Sequence, residues 1–432
     1  MLPPFSKLLQ LLVVVALSST YLRLVVESSI DYNINLLYSK NSPSSNTTIK
    51  KLISSESVFH GSNGCLTNVQ KQAHSFNDWI HTGKNKLPSL YNYLSGSTFW
   101  INEWQTPGHA MLDMVVIQVL QSIKLDRIIL QRTPLPDQDV YAYWNTFFKA
   151  YYAAMIDAFQ PGIPIYIRRE QKTDILKAYY LSLEPNSTSP LLDGFVLRQT
   201  VMDDDTIVLN KDKQCFENVY TRGKLVSGGA KGLEEAVSPS AAQQFKRSAH
   251  KLIMNIENPR DPTTTTNVIL AYRANTIRRN IPNMNVLLET AFSKDIGSSS
   301  SSPILHFRSV PIPGHSFEQQ MRLVYDADVL VTVHGAFQGN TVYMRNGSLL
   351  IELRGSYSRG QENVNPFYGF RCMARAFGVF HQVVFVDDLN DHDKFNSSMT
   401  NQEAMQIYNL VKDYATNIRP LLLTKLLPLP NV

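Results

Sequence analysis

From Thr266 onward, short apolar runs of strand length alternate with stretches whose apolar residues recur at helical spacing. "TNVILAYR", "PILHFRSV", "VLVTVHGA", "SLLIELRG" and "FHQVVFVDD" read as strands, while "SFEQQMRLVYDA" and the residues around Met373 to Phe377 read as helices. Such alternation predicts a parallel sheet flanked by helices. An earlier series has the same rhythm: "STFWINEW" as a strand, "GHAMLDMVVIQVLQSI" as a helix, "LDRIIL" as a strand and "DVYAYWNTFFKAYYAAMI" as a second helix. Between the two series, Gly194 to Lys231 has hairpin character, and "SAAQQFKRSAHKLIMNIENP" reads as a helix joining them. The last helical pattern, "NQEAMQIYNLVKDYATNIRPLLL", follows the completed second sheet and is expected to pack back near the domain junction. The pattern therefore predicts an α/β protein with two Rossmann-like αβα domains facing a cleft, where a ligand would sit beyond the carboxyl ends of the strands.

The N-terminus breaks this rhythm. Leu8 to Val26 is nearly all apolar, with Lys7 before it, and suits either a signal anchor or a signal peptide cleaved after "ALS". The Ser-, Asn- and Thr-rich residues after it suit a stem. The expected organisation is a membrane segment at 1–26, a stem at 27–57, an N-terminal α/β domain at 58–255, a C-terminal α/β domain at 256–395 and a closing helix at 396–432. Glycosylation acceptor patterns begin at Asn46, Asn186, Asn346 and Asn396, in keeping with a secretory lumen. The cysteines, Cys65, Cys215 and Cys372, allow at most one internal disulfide, so the chain depends on its core. At 18% charged residues and a net charge of +5 there is no basic run to track a phosphate backbone, which argues against nucleic acid as a partner.

Candidate chemistry gathers at "VLVTVHGAFQGN". The strand ends at His334, and Gly335 removes a Cβ where main-chain amides approach an anion. Ala336 and Asn340 belong to the same turn, and an imidazole there can donate to a phosphate oxygen. Glu352, in the next strand, would lie at the same edge and accept from ribose hydroxyls. "LAYRANTIRRN" puts Arg273 directly after a strand and Arg278 in the loop beyond it, where guanidinium groups suit a diphosphate. In the first series, His109 and Asp113 stand four residues apart at the start of a helix, a spacing that lets a carboxylate orient a general base. Each of these groups also has a purely structural reading, as a tight turn, solvated arginines or a helix brace. Asp203 to Asp205 has a D-x-D spacing able to hold a divalent ion, but acidic residues between short apolar strands are what a hairpin turn carries.

Taken in order, these elements resemble glycosyltransferase family 61, which includes plant xylan arabinosyl- and xylosyltransferases and animal O-linked N-acetylglucosaminyltransferases of the secretory pathway. The resemblance is carried by "VHGAFQGNTVYMRNGSLLIEL", which is similar to the family's "HGAGLTN" turn and the strand ending in "IE", by "PGHAMLDM", by "QCFENVYTRG" and by the loop at Arg273. Phe337-Gln338-Gly339 replaces the family's Gly-Leu-Thr, and Arg345-Asn346-Gly347 its Pro-Pro-Gly, leaving His334, Gly335, Ala336, Asn340 and Glu352 in register. The resemblance implies a B-type fold and a type II membrane protein of the Golgi or endoplasmic reticulum. It also implies inverting transfer from a UDP-sugar to a polysaccharide or glycoprotein, with no cofactor and no essential metal. Arg273, Arg278, His334 and the amides after it would hold the diphosphate, and His109, helped by Asp113, would deprotonate the acceptor. The alternatives are a non-catalytic carbohydrate or nucleotide-sugar binding protein and a B-type transferase using a GDP-sugar.

Overall fold

A computed structural model describes residues 58–66, 80–82, 92–102, 115–132, 151, 154–163, 165–169, 197–199, 214–222, 238–254, 256, 265–273, 280–293, 304–312, 315–360, 367–389 and 397–426. The apolar segment Leu8 to Val26 and the stem lie outside these residues, and among the described residues no helix is long and apolar enough to cross a membrane.

The first sheet holds β1 (Val58–Leu66), β2 (Ile80–Thr82), β3 (Asn92–Asn102), β4 (Arg127–Arg132), β5 (Ile165–Arg169), β6 (Leu197–Gln199) and β7 (Gln214–Arg222) in the order β2-β1-β7-β3-β4-β5-β6. It is mixed rather than wholly parallel, because β1 runs antiparallel to both β2 and β7. Among the described residues of the expected hairpin between Gly194 and Lys231, β6 and β7 do not pair with each other. Instead β6 pairs in parallel with β5, and β7 enters the middle of the sheet between β1 and β3. Phe216 and Val219 explain why, since both are fully buried and need cover that a surface hairpin would not give. The backbone register sets Cys65 opposite Cys215, and Cys372 is buried in the second half of the chain. Helix α1 (Val115–Ser122) packs Val116, Ile117, Val119 and Leu120 into the core beside Phe99 and Ile128.

The second sheet is wholly parallel: β8 (Thr265–Tyr272), β9 (Ile304–Pro311), β10 (Val329–Val333), β11 (Leu349–Gly355) and β12 (Phe380–Val386), in the order β12-β11-β10-β8-β9. Every residue of β10 and β11 is buried, as expected of central strands covered on both faces. Its helices are α3 (Met284–Ser293), α4 (Phe317–Asp326), α5 (Phe367–Ala376), α6 (Asn401–Asp413) and α7 (Arg419–Leu426); α3 has no counterpart among the elements read from the sequence. Ser316 and Thr400 start α4 and α6 with reciprocal capping boxes, which satisfy orphan backbone donors and fix both starting points.

Helix α2 (Pro239–Met254) joins the two sheets, as its amphipathic pattern predicts. Its Phe245 packs edge-on to Tyr151 from the first half, and also against Tyr343 and Phe377 from the second. Ser248 donates to Asp157 at 2.7 Å, while Lys246 donates to Asn346 at 2.9 Å and to the Phe377 carbonyl. Asn346 also accepts from Gln243 at 2.8 Å, and Ser348 of its acceptor pattern is buried on the Ala327 carbonyl, a poor setting for a glycan. Helix α6 packs with α3 on the other apolar cluster of the second sheet, away from α2. Its continuation returns toward the junction: Tyr414 donates to the Gly347 carbonyl at 2.7 Å, and Leu422 lies against Gly347, which is held at φ 78°. Arg419 and Arg345 meet there on the buried Asp328.

Lys246 gives this junction a pH signature. Burial lowers its pKa from 10.5 to about 7, so between those values the unfolded chain holds a proton that the folded chain does not. Stability contributed at this site therefore rises as pH increases from about 7 toward 10.5. Urea unfolding across that window is expected to show the rise, and Lys246→Met to flatten it.

Candidate functional site

The order of the second sheet locates the site before any side chain is considered. The chain lays down β8, adds β9 on one side, then adds β10, β11 and β12 on the other. The reversal lies between β8 and β10, and open α/β sheets bind ligands at the carboxyl end of that switch point. Thr332 of β10 pairs with Ala271 of β8 and with Glu352 of β11. Two residues further along each strand stand Arg273, His334 and Arg354, so the register sets three basic residues in one row at this edge.

Below that row lies a buried carboxylate. Glu352 is fully buried; Oε1 accepts from His334 Nδ1, and Oε2 accepts from Arg354 at 2.7 Å and from His381 Nε2 at 2.6 Å. Burial alone would raise the pKa of this carboxyl. The hydrogen bonds from His334 and His381, the charge of His381 and the hydrogen bond from Arg354 outweigh burial and hold it well below the ordinary value. An ionised carboxylate only accepts, so Nδ1 of His334 carries the proton in that bond, and the tautomer of the imidazole is fixed. The Phe370 ring stands edge-on to the imidazole at 5.4 Å and confines it from the α5 side.

The ribose role expected of Glu352 is therefore corrected. β11 continues to Gly355, so Glu352 lies inside the sheet rather than at its edge, and both oxygens are occupied by protein donors. Its work is to hold His334. Asn340 is likewise turned inward, 2% exposed, with its amide 3.4 Å from Gln320 of α4. Gly335 is nearly extended at φ 158° and ψ −175°, so the sharp change of direction belongs to the 3-10 segment Ala336–Tyr343 that follows. No side chain caps the start of that segment, where Ala336 is exposed and Phe337 half-buried. Backbone donors at such a start, next to an imidazole, suit an anion. Arg273 closes β8 and is half-buried, while Arg278, His109, Asp113 and the Asp203 to Asp205 triplet lie outside the described residues.

Sequence reading gave Arg354 and His381 no part in the site. Arg354 had a signal, being two residues from Glu352 in an apolar strand and hence on the same face. His381 had none, because its proximity to Glu352 comes from the pairing of β11 with β12, where Glu352 lies opposite Val383.

The family model described as Glycosyltransferase 61 matches residues 201–351, a stretch that contains β7, the joining helix, Arg273 and the His334 turn, and ends one residue before Glu352. No curated protein matches the chain. Among solved structures, the E. coli heptosyltransferase WaaC with ADP-2-deoxy-2-fluoro heptose is 8% identical, over 73% of this chain and 99% of that one, with a TM-score of 0.28. A glycosyl transferase family 9 protein from Veillonella parvula is 10% identical, over 76% of this chain and 95% of that one, with a TM-score of 0.27.

Proposed function

We propose, on the match of the glycosyltransferase 61 model to residues 201–351, that this chain is a transferase of that family and transfers xylose, arabinose or N-acetylglucosamine from a UDP-sugar to a polysaccharide or glycoprotein. The proposed setting is the lumen of the Golgi or endoplasmic reticulum, with Leu8 to Val26 holding the chain at the membrane. The observation that carries the reading is the row of Arg273, His334 and Arg354 at the carboxyl edge of β8, β10 and β11, beside the start of the 3-10 segment.

In this reading the two domains form a B-type fold, and the diphosphate lies across the ends of β8 and β10. The acceptor oxygen attacks the anomeric carbon, the bond from that carbon to UDP breaks, and the configuration inverts. The electron pair leaves with the β-phosphate oxygen, where Arg273, Arg278, His334 and the turn amides stabilise the charge. His109, oriented by Asp113, takes the acceptor proton. Positive side chains supply the charge compensation that other transferases draw from a divalent ion, so no essential metal is required.

The test uses the full chain in detergent with UDP-xylose, UDP-arabinose and UDP-N-acetylglucosamine, reading transfer and donor hydrolysis with and without EDTA. Turnover of one donor that survives EDTA is expected. Loss on EDTA with recovery on Mn²⁺ would contradict the metal-independent reading. UDP binding without turnover would favour a non-catalytic binding protein, and competition by GDP rather than UDP would favour a GDP-sugar enzyme.

A further inference from the structure

Three cysteines stand in 432 residues, and two of them meet in one rung of a single ladder. Cys65 of β1 lies directly opposite Cys215 of β7, whereas Cys372 belongs to α5, between β11 and β12 in the chain. β1 and β7 run antiparallel. Directly opposed residues of such a pair share a face of the sheet, with Cα atoms about 5.5 Å apart in a hydrogen-bonded rung and about 4.5 Å apart in the other kind. A disulfide spans Cα separations of about 4.4–6.8 Å, so either kind of rung admits one with no movement of the backbone. The register is held from both sides. β1 and β7 keep one register from Val58 opposite Arg222 to Cys65 opposite Cys215, and the outer neighbours set His81 of β2 against Cys65 and Tyr93 of β3 against Cys215. A slip of one residue would put the two cysteines on opposite faces, and these pairings oppose it.

We propose that Cys65 and Cys215 are joined by a disulfide that fastens β1 to the middle of the first sheet. The bond is independent of the donor site, and it rests on the lumenal setting proposed above only for its oxidant, a small-molecule or protein disulfide such as oxidised glutathione. One cysteine thiolate attacks that disulfide and displaces a thiol, and the other cysteine thiolate attacks the mixed disulfide and displaces the second thiol. The S–S bond of the oxidant breaks and that of the protein forms. The two cysteines are oxidised, the oxidant is reduced to two thiols, and the two cysteine protons end on them.

β1 is the strand that gains most. It is the first described strand and follows the Ser-, Asn- and Thr-rich stretch expected to be a stem, so tension on the stem reaches it before any other part of the sheet. β2, its other neighbour, has three residues, and β7 therefore supplies most of its pairing. The bond also closes a long loop that contains β2 to β6 and α1, and cross-links across long loops remove the most freedom from the unfolded chain.

The experiment counts thiols. The full chain is isolated from eukaryotic cells under acid quench, unfolded in guanidinium chloride with a chelator, and its thiols are alkylated and counted by mass spectrometry before and after reduction. One alkylated cysteine of three is expected before reduction and three after, with a pair of proteolytic fragments linking Cys65 to Cys215. Cys372→Ser is expected to show none before reduction, and Cys65→Ser two. Reduction is expected to lower the Tm of the wild type by about 5–10 °C and to leave that of a Cys65→Ser/Cys215→Ser variant unchanged. Three alkylated cysteines in the isolated chain call for equilibration in a buffer of oxidised and reduced glutathione. Formation of the bond there keeps the pairing and contradicts the lumenal setting, whereas three thiols persisting there, or a linkage to Cys372, overturns the proposal.

Discussion

Glu352→Ala is expected to be among the most damaging single changes in the C-terminal sheet, lowering stability by about 3–5 kcal/mol. The carboxylate is fully buried and holds His334, Arg354 and His381 together, and Arg354 is itself only 2% exposed. Removing the anion takes from a buried guanidinium and two imidazoles the carboxylate that compensates their burial. Against a typical domain stability of about 5–15 kcal/mol, such a loss is readily seen as a shift in urea midpoint. Glu352→Gln, which keeps the shape and one acceptor oxygen, is expected to lose less stability. If alanine at this position left the midpoint unchanged, the cluster would not be the organising centre of the site.

His334→Ala is expected to act on catalysis rather than on the fold, lowering kcat/KM by about 10²–10³-fold, equivalent to about 3–4 kcal/mol of transition-state stabilisation. The residue follows the last pair of β10 and contributes no strand of its own, and Glu352 retains Arg354 and His381 after the change. Charge on the departing diphosphate grows through the transition state, so the loss should appear in kcat as well as KM. Kinetics with the donor identified from the UDP-sugar panel, alongside thermal unfolding of the same variant, separates the two effects. A pure rise in KM would mean that His334 binds donor and transition state equally.

The second half of the chain was legible because its strands are unbroken apolar runs separated by helical periods, the signature of a parallel sheet buried on both faces. Thr266 to Arg273, Val329 to His334 and the joining helix could be placed from that pattern alone. The first half was less legible where strands carry polar residues. "QCFENVYTR" alternates enough to pass for a surface hairpin, and only the burial of Phe216 and Val219 shows it to be internal. In the site, His334 and Arg273 announced themselves by ending apolar strands. The role of Glu352 did not, because its partners come from its own strand two residues on, from the strand before it and from the strand after it. Pairing register, which places His381 and Arg354 on one carboxylate, is a tertiary fact that a linear sequence carries only as strand candidates.

The central claim is that the nucleotide diphosphate sits at the carboxyl ends of β8 and β10. A crystal structure of the chain with UDP tests it most directly. The diphosphate is expected against the start of the 3-10 segment, with a phosphate oxygen within hydrogen-bonding distance of the His334 side chain and a second one near Arg273. A diphosphate resting on the first sheet, or bridged by a metal ion to Asp203 or Asp205, would contradict it.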